Sequence, residues 1–188
     1  MNTTFSLSKQ KEKVFPDYIQ YDGNTFFINA DFRNILRIMR MYDDDSILQI
    51  QKPYLLLKWF FRDEIDEVTG IDLFKQFMGT ADENDSQSEQ QFDFEFDAKE
   101  IYASFLKEYF IDLVDIPFLH WRKFIILLSN LSDECPFRQK IRLRFMDLKD
   151  YKGEQLVKLQ EAKDAVQLPV RYTREELEEM RQFEAEWG

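Results

Sequence analysis

The fold of this chain is decided by two dense apolar stretches, Asp97-Ala98-Lys99-Glu100-Ile101-Tyr102-Ala103-Ser104-Phe105 and Leu119-His120-Trp121-Arg122-Lys123-Phe124. In the first stretch, large apolar residues recur at the spacing of one helical face. Asp97 stands where a helix cap is expected, and Glu100 follows three residues later, as in a capping box. The stretch therefore predicts a helix after Asp97 with an apolar face of Ile101, Tyr102, Phe105, Leu106 and Tyr109.

The second stretch predicts another helix, and Pro117 suits its first turn. The residue that precedes this helix is Asp115 or Ile116. Apolar residues cover so much of its circumference that we expect a central helix, buried on most sides. One stripe holds Phe118, Trp121, Ile125 and Leu128, and beside it lie Leu119, Phe124, Leu127 and Leu131.

Towards the N-terminus, Asp22-Gly23 separates two short runs of aromatic and β-branched residues, which predicts a β-hairpin. Asn29 or Asp31 can cap the helix that follows. Asp43-Asp44-Asp45 ends that helix, whose expected face is Phe32, Ile35, Leu36, Met39 and Tyr42. A second helix covers part of 46–62 with Pro53 near its start, and a shorter third one contains Leu73, Phe74 and Phe77 and closes near Gly79.

The C-terminal third predicts further helices after Pro136, over about 153–167 and over 173–187, where Thr173 and Glu176 form a capping box. The predicted fold class is mainly α, a compact multi-helix domain with one short N-terminal β-hairpin. The predicted domains are a flexible N-terminus at 1–16, a helical core at 17–150 and a polar helical extension at 151–188. An acidic, low-complexity linker loop at 79–91 lies inside the core, and a true domain boundary at that loop is the alternative.

The net charge of −11 comes from one part of the chain, because residues 63–100 hold 13 acidic residues against two lysines. Such a block repels phosphate backbones, so nucleic acid is not an expected partner. The longest apolar run, 124–128, is far shorter than the roughly 20 residues that span a bilayer. With no secretory signal and a single cysteine, we expect a cytoplasmic protein without a disulfide and without a membrane partner.

No motif in the chain indicates catalysis, a cofactor or a metal. His120 is the only histidine, and packing or hydrogen bonding is the favoured role for it over acid–base chemistry. Cys135 has no CxxC partner, and no nucleophile motif surrounds it. The alternate polar positions from Asp82 to Asp93 lack the glycine and the final glutamate of a calcium loop. The chain is therefore not expected to be an enzyme.

Two groups of residues are candidates for contacts with partners. A basic cluster can pair with the acids of 63–100 in its own chain, make an electrostatic contact with another subunit, or bind nucleic acid, and the first use is favoured. A C-terminal stripe can bury its apolar face in its own domain or in a partner groove. The basic cluster is Arg138, Lys140, Arg142 and Arg144, and the C-terminal stripe is Leu177, Met180, Phe183 and Trp187.

The pattern resembles the bacteriophage gp-fifteen family of siphoviruses of Gram-positive hosts, encoded beside the tape measure gene. The matching segments lie within about 17–150: the Asp22-Gly23 hairpin leading into 28–33, then 94–105, Ile111-Asp112-Leu113 and 119–124. The linker 79–91 and the tail 151–188 lie outside the resemblance.

The resemblance implies a tail assembly chaperone, which coats the long helical tape measure protein in the host cytoplasm until tube subunits polymerise around it. It also implies a homo-oligomer, with a sibling tail assembly chaperone as a further partner. It transfers no catalytic residues. The main alternative is a structural tail or connector component retained in the virion, and a regulatory binding protein that acts on the host is a third reading.

Overall fold

The computed structural model describes residues 15–79, 91–170 and 180–183, and this part of the chain is mainly α-helical. The predicted fold class, mainly α with a β-hairpin near the N-terminus, is confirmed. The strands are β1 (Tyr18–Tyr21) and β2 (Asn24–Phe27). The helices are α1 (Phe32–Asp43), α2 (Lys52–Phe60), α3 (Glu67–Met78), α4 (Ala98–Tyr109), α5 (Trp121–Ser129), α6 (Pro136–Arg144) and α7 (Gly153–Asp164), and a 3-10 turn (Gln49–Gln51) precedes α2.

The chain divides into two compact units, and each is assembled from two separate segments. The first unit contains Met1–Glu89 and Asp112–Asn130, and the second contains Gln90–Ile111 and Leu131–Gly188. The domain boundaries inferred from the sequence stay predictions. The predicted flexible terminus lies almost wholly outside the described residues, as do most of the linker 79–91 and most of the helix 173–187.

The hairpin of the first unit follows from its turn residues. Asp22 and Gly23 have φ values of 47° and 76°, the left-handed pair that a tight hairpin turn requires. The strands are antiparallel with Tyr18 opposite Phe27. An isolated bridge between Ile28 and Phe61 then ties the exit of the hairpin to the end of α2.

Helices α1 and α2 run antiparallel. At one end, Asn34 Nδ2 donates to the carbonyl oxygen of Trp59 at 2.9 Å, and at the other, Lys52 Nζ donates to that of Tyr42 at 2.7 Å. Gly70 of α3 faces α2 so closely that a Cβ there would lie 2.3 Å from Leu57 Cδ2, so a larger residue would require the Leu57 side chain to move.

The predicted apolar face of α1 is partly wrong. Phe32 and Ile35 are buried as expected, but Ile38 and Met41 complete the buried face, whereas Leu36 and Met39 are half-buried and Tyr42 is exposed. The real face follows the spacing 32, 35, 38 and 41, because α2 and α5 both pack against α1.

The N-terminus of α1 is fixed by a segment almost ninety residues further along the chain. The amide of Phe32 donates to the carbonyl of Leu119 at 2.9 Å, and the amide of Trp121 donates to that of Ala30 at 2.7 Å. Asp31, rather than Asn29, caps α1: its Oδ1 accepts from the amide of Arg33 at 3.0 Å. Its Oδ2 accepts from the amide of Leu119 at 3.1 Å. Two stretches that carried the family resemblance therefore clasp each other.

This clasp corrects the predicted start of α5. The helix begins at Trp121 and not near Pro117, because the backbone of 119–121 is extended to pair with residues 30–32. Phe118 consequently lies outside the helix and is half exposed. The helix is also less central than expected: Trp121, Phe124 and Leu128 are buried, while Ile126 is exposed.

In the second unit, α4 and α6 pack closely through a small residue. Ser104 of α4 is fully buried, and its Oγ accepts from the amide of Phe137 at 3.1 Å. The same Oγ donates to the carbonyl of Glu100 at 2.6 Å. Cys135 Sγ accepts from the amide of Arg138 at 3.4 Å, so two side chains satisfy the first free N–H groups of α6.

Candidate partner-binding surfaces

Asp97 and Arg144 form a buried, bidentate ion pair at the centre of the second unit. Arg144 Nη2 lies 2.8 Å from Asp97 Oδ1, and Nη1 lies 3.1 Å from Oδ2. Asp97 is 0% exposed and Arg144 3%. The remaining Arg144 donors reach the carbonyls of Gln91 and Val166, each at 2.7 Å. This one side chain therefore joins α4, α6 and the segments beside Gln91 and Val166.

The predicted capping role of Asp97 is wrong. Asp97 occupies the position before α4, but its carboxylate makes no capping bond and is used by Arg144 and Lys140 instead. Burial alone would raise the pKa of Asp97, but hydrogen bonds from these two cations outweigh burial and hold the pKa below its ordinary value. Glu100 likewise does not complete a capping box, since its carboxylate binds Lys140 Nζ at 2.9 Å.

The structure separates the four predicted electrostatic contact residues. Lys140 pairs with Asp97 and Glu100, and Arg144 is buried, so two of the four are engaged with acids of 63–100 within the second unit. Arg138 is half-buried and Arg142 is exposed. Among these four, Arg142 presents the most accessible charge to a partner.

His120 serves as the cap of α5 and is buried; it does not lie in the first turn of a helix. Its Nδ1 accepts from the amide of Arg122 at 3.1 Å, so the ring proton resides on Nε2, which lies 3.4 Å from the carbonyl oxygen of Pro16. Phe15 stacks on the ring with a centroid distance of 5.3 Å. Burial, with a smaller contribution from Arg122, lowers the pKa of His120 to about 4. The arrangement fixes a neutral imidazole in a structural position.

Cys135 is fully buried at the start of α6. Across the described ranges, no group of three or more histidine, cysteine, aspartate or glutamate side chains has a geometry that could hold a metal ion. No helix within those ranges is long and apolar enough to cross a membrane. The calcium-like pattern from Asp82 falls mostly outside the described residues.

An exposed apolar surface, not predicted from the sequence, lies where α1 ends and α2 begins. We call it the α1–α2 tip and define it as Tyr42, Leu48, Ile50 and Tyr54. Their side chains are 42%, 63%, 85% and 61% exposed. Ile50 lies on the 3-10 turn and Tyr54 on the first turn of α2. The bond from Lys52 Nζ to the Tyr42 carbonyl brings the end of α1 to the start of α2. Apolar side chains clustered in this way typically mark an interaction surface.

Lys52 explains why these apolar side chains point outwards. Its side chain is 1% exposed, and it occupies the inward face of α2 together with Leu56 and Phe60. Because that face repeats every four residues, Tyr54 and Lys58 fall on the opposite, exposed face of α2. A lysine on the inward face hides this orientation from a reading of hydrophobic pattern alone. The repeat at 52, 56 and 60 is the signal that could have revealed it.

The C-terminal stripe is described only in part. Residues 180–183 are helical, with Met180 44% and Phe183 66% exposed. Leu177 and Trp187 lie outside the described residues, so the alignment of all four on one face stays a prediction.

A family model described as Bacteriophage Gp15 protein matches residues 11–168 of the chain. The match includes both the clasp between 30–32 and 119–121 and the Asp97–Arg144 pair. No curated protein and no solved structure matches the chain.

Proposed function

This chain belongs to the Bacteriophage Gp15 protein family and is therefore a phage structural or assembly-related protein, and we propose that it acts as a tail assembly chaperone for the tape measure protein. In this role it binds apolar helical segments of the tape measure protein in the host cytoplasm and keeps them soluble until the tail tube forms around them. A sibling tail assembly chaperone is a further proposed partner. The role requires no catalytic residue and no cofactor.

The observation that carries the proposal is the exposure of the α1–α2 tip. A protein recognises an amphipathic helix by packing apolar side chains of its own surface against the apolar face of that helix. The tip offers such a surface, because Ile50 lies on the 3-10 turn that leads into α2 and Tyr54 lies on the first turn of α2, whose other face is buried through Lys52 and Leu56. Fully burying a leucine or isoleucine contributes about 1.5–3 kcal/mol, so two or three such side chains can hold a client helix reversibly.

The net charge of the chain favours the other part of the proposed role, which is to keep the bound tape measure protein soluble. A complex that covers its apolar contacts but retains a net charge of −11 from this subunit repels other complexes and stays in solution. The C-terminal stripe can add a second client contact, as its sequence pattern predicts.

The test is co-expression of this chain with the tape measure protein of the same genome, followed by measurement of soluble tape measure protein and co-purification. We expect the chain to rescue the tape measure protein from inclusion bodies. Ile50→Asp should abolish the rescue while the helical circular dichroism signal is unchanged. Val68→Asp is the matched control, because Val68 is 73% exposed on α3 of the same unit but outside the tip.

The alternative function is a structural tail or connector component. It predicts that the chain is present in purified, infectious particles, whereas a chaperone is absent from them. Failure to rescue the tape measure protein, together with stoichiometric amounts of the chain in virions, would refute the chaperone proposal in favour of this alternative.

A further inference from the structure

The outer edge of β1 carries backbone groups that the hairpin itself does not use. The amide of Ile28 donates to the carbonyl of Asp17 at 2.9 Å, which continues the β1–β2 ladder. In an antiparallel ladder, residues bonded to the partner strand alternate with residues whose N–H and C=O groups point away from it. Because Asp17 and Ile19 are bonded to β2, Tyr18 and Gln20 direct their N–H and C=O groups outwards. Within the described part of the chain, no further strand pairs with this edge and no backbone hydrogen bond reaches it.

The opposite edge of the hairpin is closed where β2 ends. The amide of Phe27 donates to Asp63 Oδ2 at 2.7 Å, and the carbonyl of Phe27 accepts from the amide of Arg62 at 2.9 Å. The bridge between Ile28 and Phe61 follows directly. The first unit therefore covers one edge of its two-stranded sheet and leaves the other exposed. Such an edge is a ready template for an added strand.

The sequence of β1 does not block pairing at this edge. Proteins usually protect exposed edges with charged side chains, proline or a bulge, whereas β1 is Tyr-Ile-Gln-Tyr and holds no charge and no proline. Tyr18 and Tyr21 are also exposed. Because β1 is uncharged, two copies of it can lie side by side without opposing like charges, although the chain carries a net charge of −11.

The backbone allows one register in which both copies use all their outward groups. The next outward positions beyond Tyr18 and Gln20 are Pro16, which has no N–H, and Asp22, which lies in the turn with a φ of 47°. Tyr18 of one copy must therefore lie opposite Gln20 of the other. Ile19 then lies opposite Ile19 of the second copy, on a two-fold axis.

We propose that two copies of this chain associate edge to edge through β1, about that two-fold axis, so that their two-stranded sheets form one continuous antiparallel sheet. Main-chain hydrogen bonds provide the contact, as in other cases of strand addition. The same surface is used on both copies, so the assembly closes as a dimer. The contact is small, and the dimer therefore forms at high protein concentration. It does not depend on the proposed function.

A disulfide cross-link tests the register directly. Opposed residues at a non-hydrogen-bonded antiparallel position have Cα atoms about 4.5 Å apart, within the range that a disulfide spans. Under mild oxidation, the full-length Ile19→Cys chain should therefore give a covalent dimer on a non-reducing gel. Thr25→Cys is the matched control, because Thr25 is exposed on β2 and lies away from the axis. Cys135 is buried in both variants and does not compete.

Sedimentation equilibrium without any client measures the association itself. Gln20→Pro removes an outward N–H that the hairpin does not use, and proline is tolerated at such an edge position. It should weaken dimerisation about tenfold, because two symmetry-related hydrogen bonds are lost, whereas Gln20→Ala keeps the amide and should associate like the unmodified chain.

Two results would overturn the proposal. One is an Ile19→Cys chain that cross-links no faster than Thr25→Cys, and this result counts even if Gln20→Pro does not fold. The other is a folded Gln20→Pro chain, with unchanged circular dichroism, that dimerises as strongly as Gln20→Ala. Neither result bears on rescue of the tape measure protein, so failure of the dimer and failure of the proposed function are distinguishable.

Discussion

Protonation of His120 should destabilise the first unit at mildly acidic pH. In the folded chain His120 is neutral, because Nδ1 accepts the capping bond from the amide of Arg122 and the ring is buried between aromatic side chains. A protonated ring can no longer accept that bond. The unfolded chain binds the proton readily, so the free energy of unfolding falls as the pH drops.

The size of the effect follows from the two pKa values. The pKa is about 4 in the folded chain, against an ordinary value of 6.5. Between these values the unfolded state holds more protons than the folded state, so stability is fully present above pH 6.5 and is lost as pH falls towards 4. Each unit of pKa shift corresponds to about 1.4 kcal/mol, which gives a loss of about 3 kcal/mol in total and about 2 kcal/mol between pH 7 and pH 5.

Urea denaturation followed by tryptophan fluorescence at pH 7 and pH 5 measures this loss. The comparison variant is His120→Asn, because asparagine is a good helix cap but does not titrate. It should be less stable than the unmodified chain at pH 7, since it loses the packing of the ring, yet its stability should change little between the two pH values. Buried or half-buried carboxylates with lowered pKa values, such as Asp31 and Asp97, lose their contribution to stability only at lower pH. An equal pH dependence in both proteins would refute the assignment to His120.

Three further changes test the second unit, each by the free energy of unfolding in urea. Arg144→Met should lower the free energy of unfolding by about 3–5 kcal/mol, because Asp97 is left buried and charged. Adding Asp97→Asn should recover part of this loss. If the effects of the two changes simply add, Asp97 and Arg144 do not interact directly. Ser104→Ala should lower the free energy of unfolding by about 1–3 kcal/mol by leaving the buried amide of Phe137 without an acceptor, and a loss below 0.5 kcal/mol would show that this bond contributes little. Phe110→Gly should raise it by about 0.5–1 kcal/mol, since Phe110 has a φ of 55° and is 89% exposed, whereas a decrease would reveal packing by the ring.

Secondary-structure elements that depend on neighbouring residues alone could be predicted from the sequence. The hairpin follows from Asp22-Gly23, and the start of α6 follows from Pro136, because turn and first-turn preferences act within a few residues. The predictions from sequence were wrong where a side chain expected to cap its own helix binds a residue far along the chain instead. Asp97 has the appearance of a cap, but Arg144, 47 residues away, binds its carboxylate.

The same competition explains the error at the start of α5 and the absence of a prediction for the tip. Pro117 is a valid helix start by local preference, but backbone pairing with residues 30–32 holds 119–121 extended. At the tip, hydrophobic pattern does not indicate that Lys52 is buried, because the burial depends on the amine of Lys52 reaching the carbonyl of Tyr42 in the last turn of α1. The start of α5 and the burial of Lys52 both depend on contacts between separate segments of the chain. Hydrophobic periodicity does not indicate which segments make contact.

The two-segment construction of each unit has a consequence for synthesis of the protein on the ribosome. The clasp on α1 requires residues 119–121, and the pair with Asp97 requires Arg144, so each unit needs a segment made long after its first one. Translation proceeds from the N-terminus, and the first unit cannot close when α3 has emerged. The first unit therefore cannot complete its folding before residue 121 has been made, and the second cannot do so before residue 144. A ribosome that stalls before residue 119 would carry a nascent chain in which neither unit is finished.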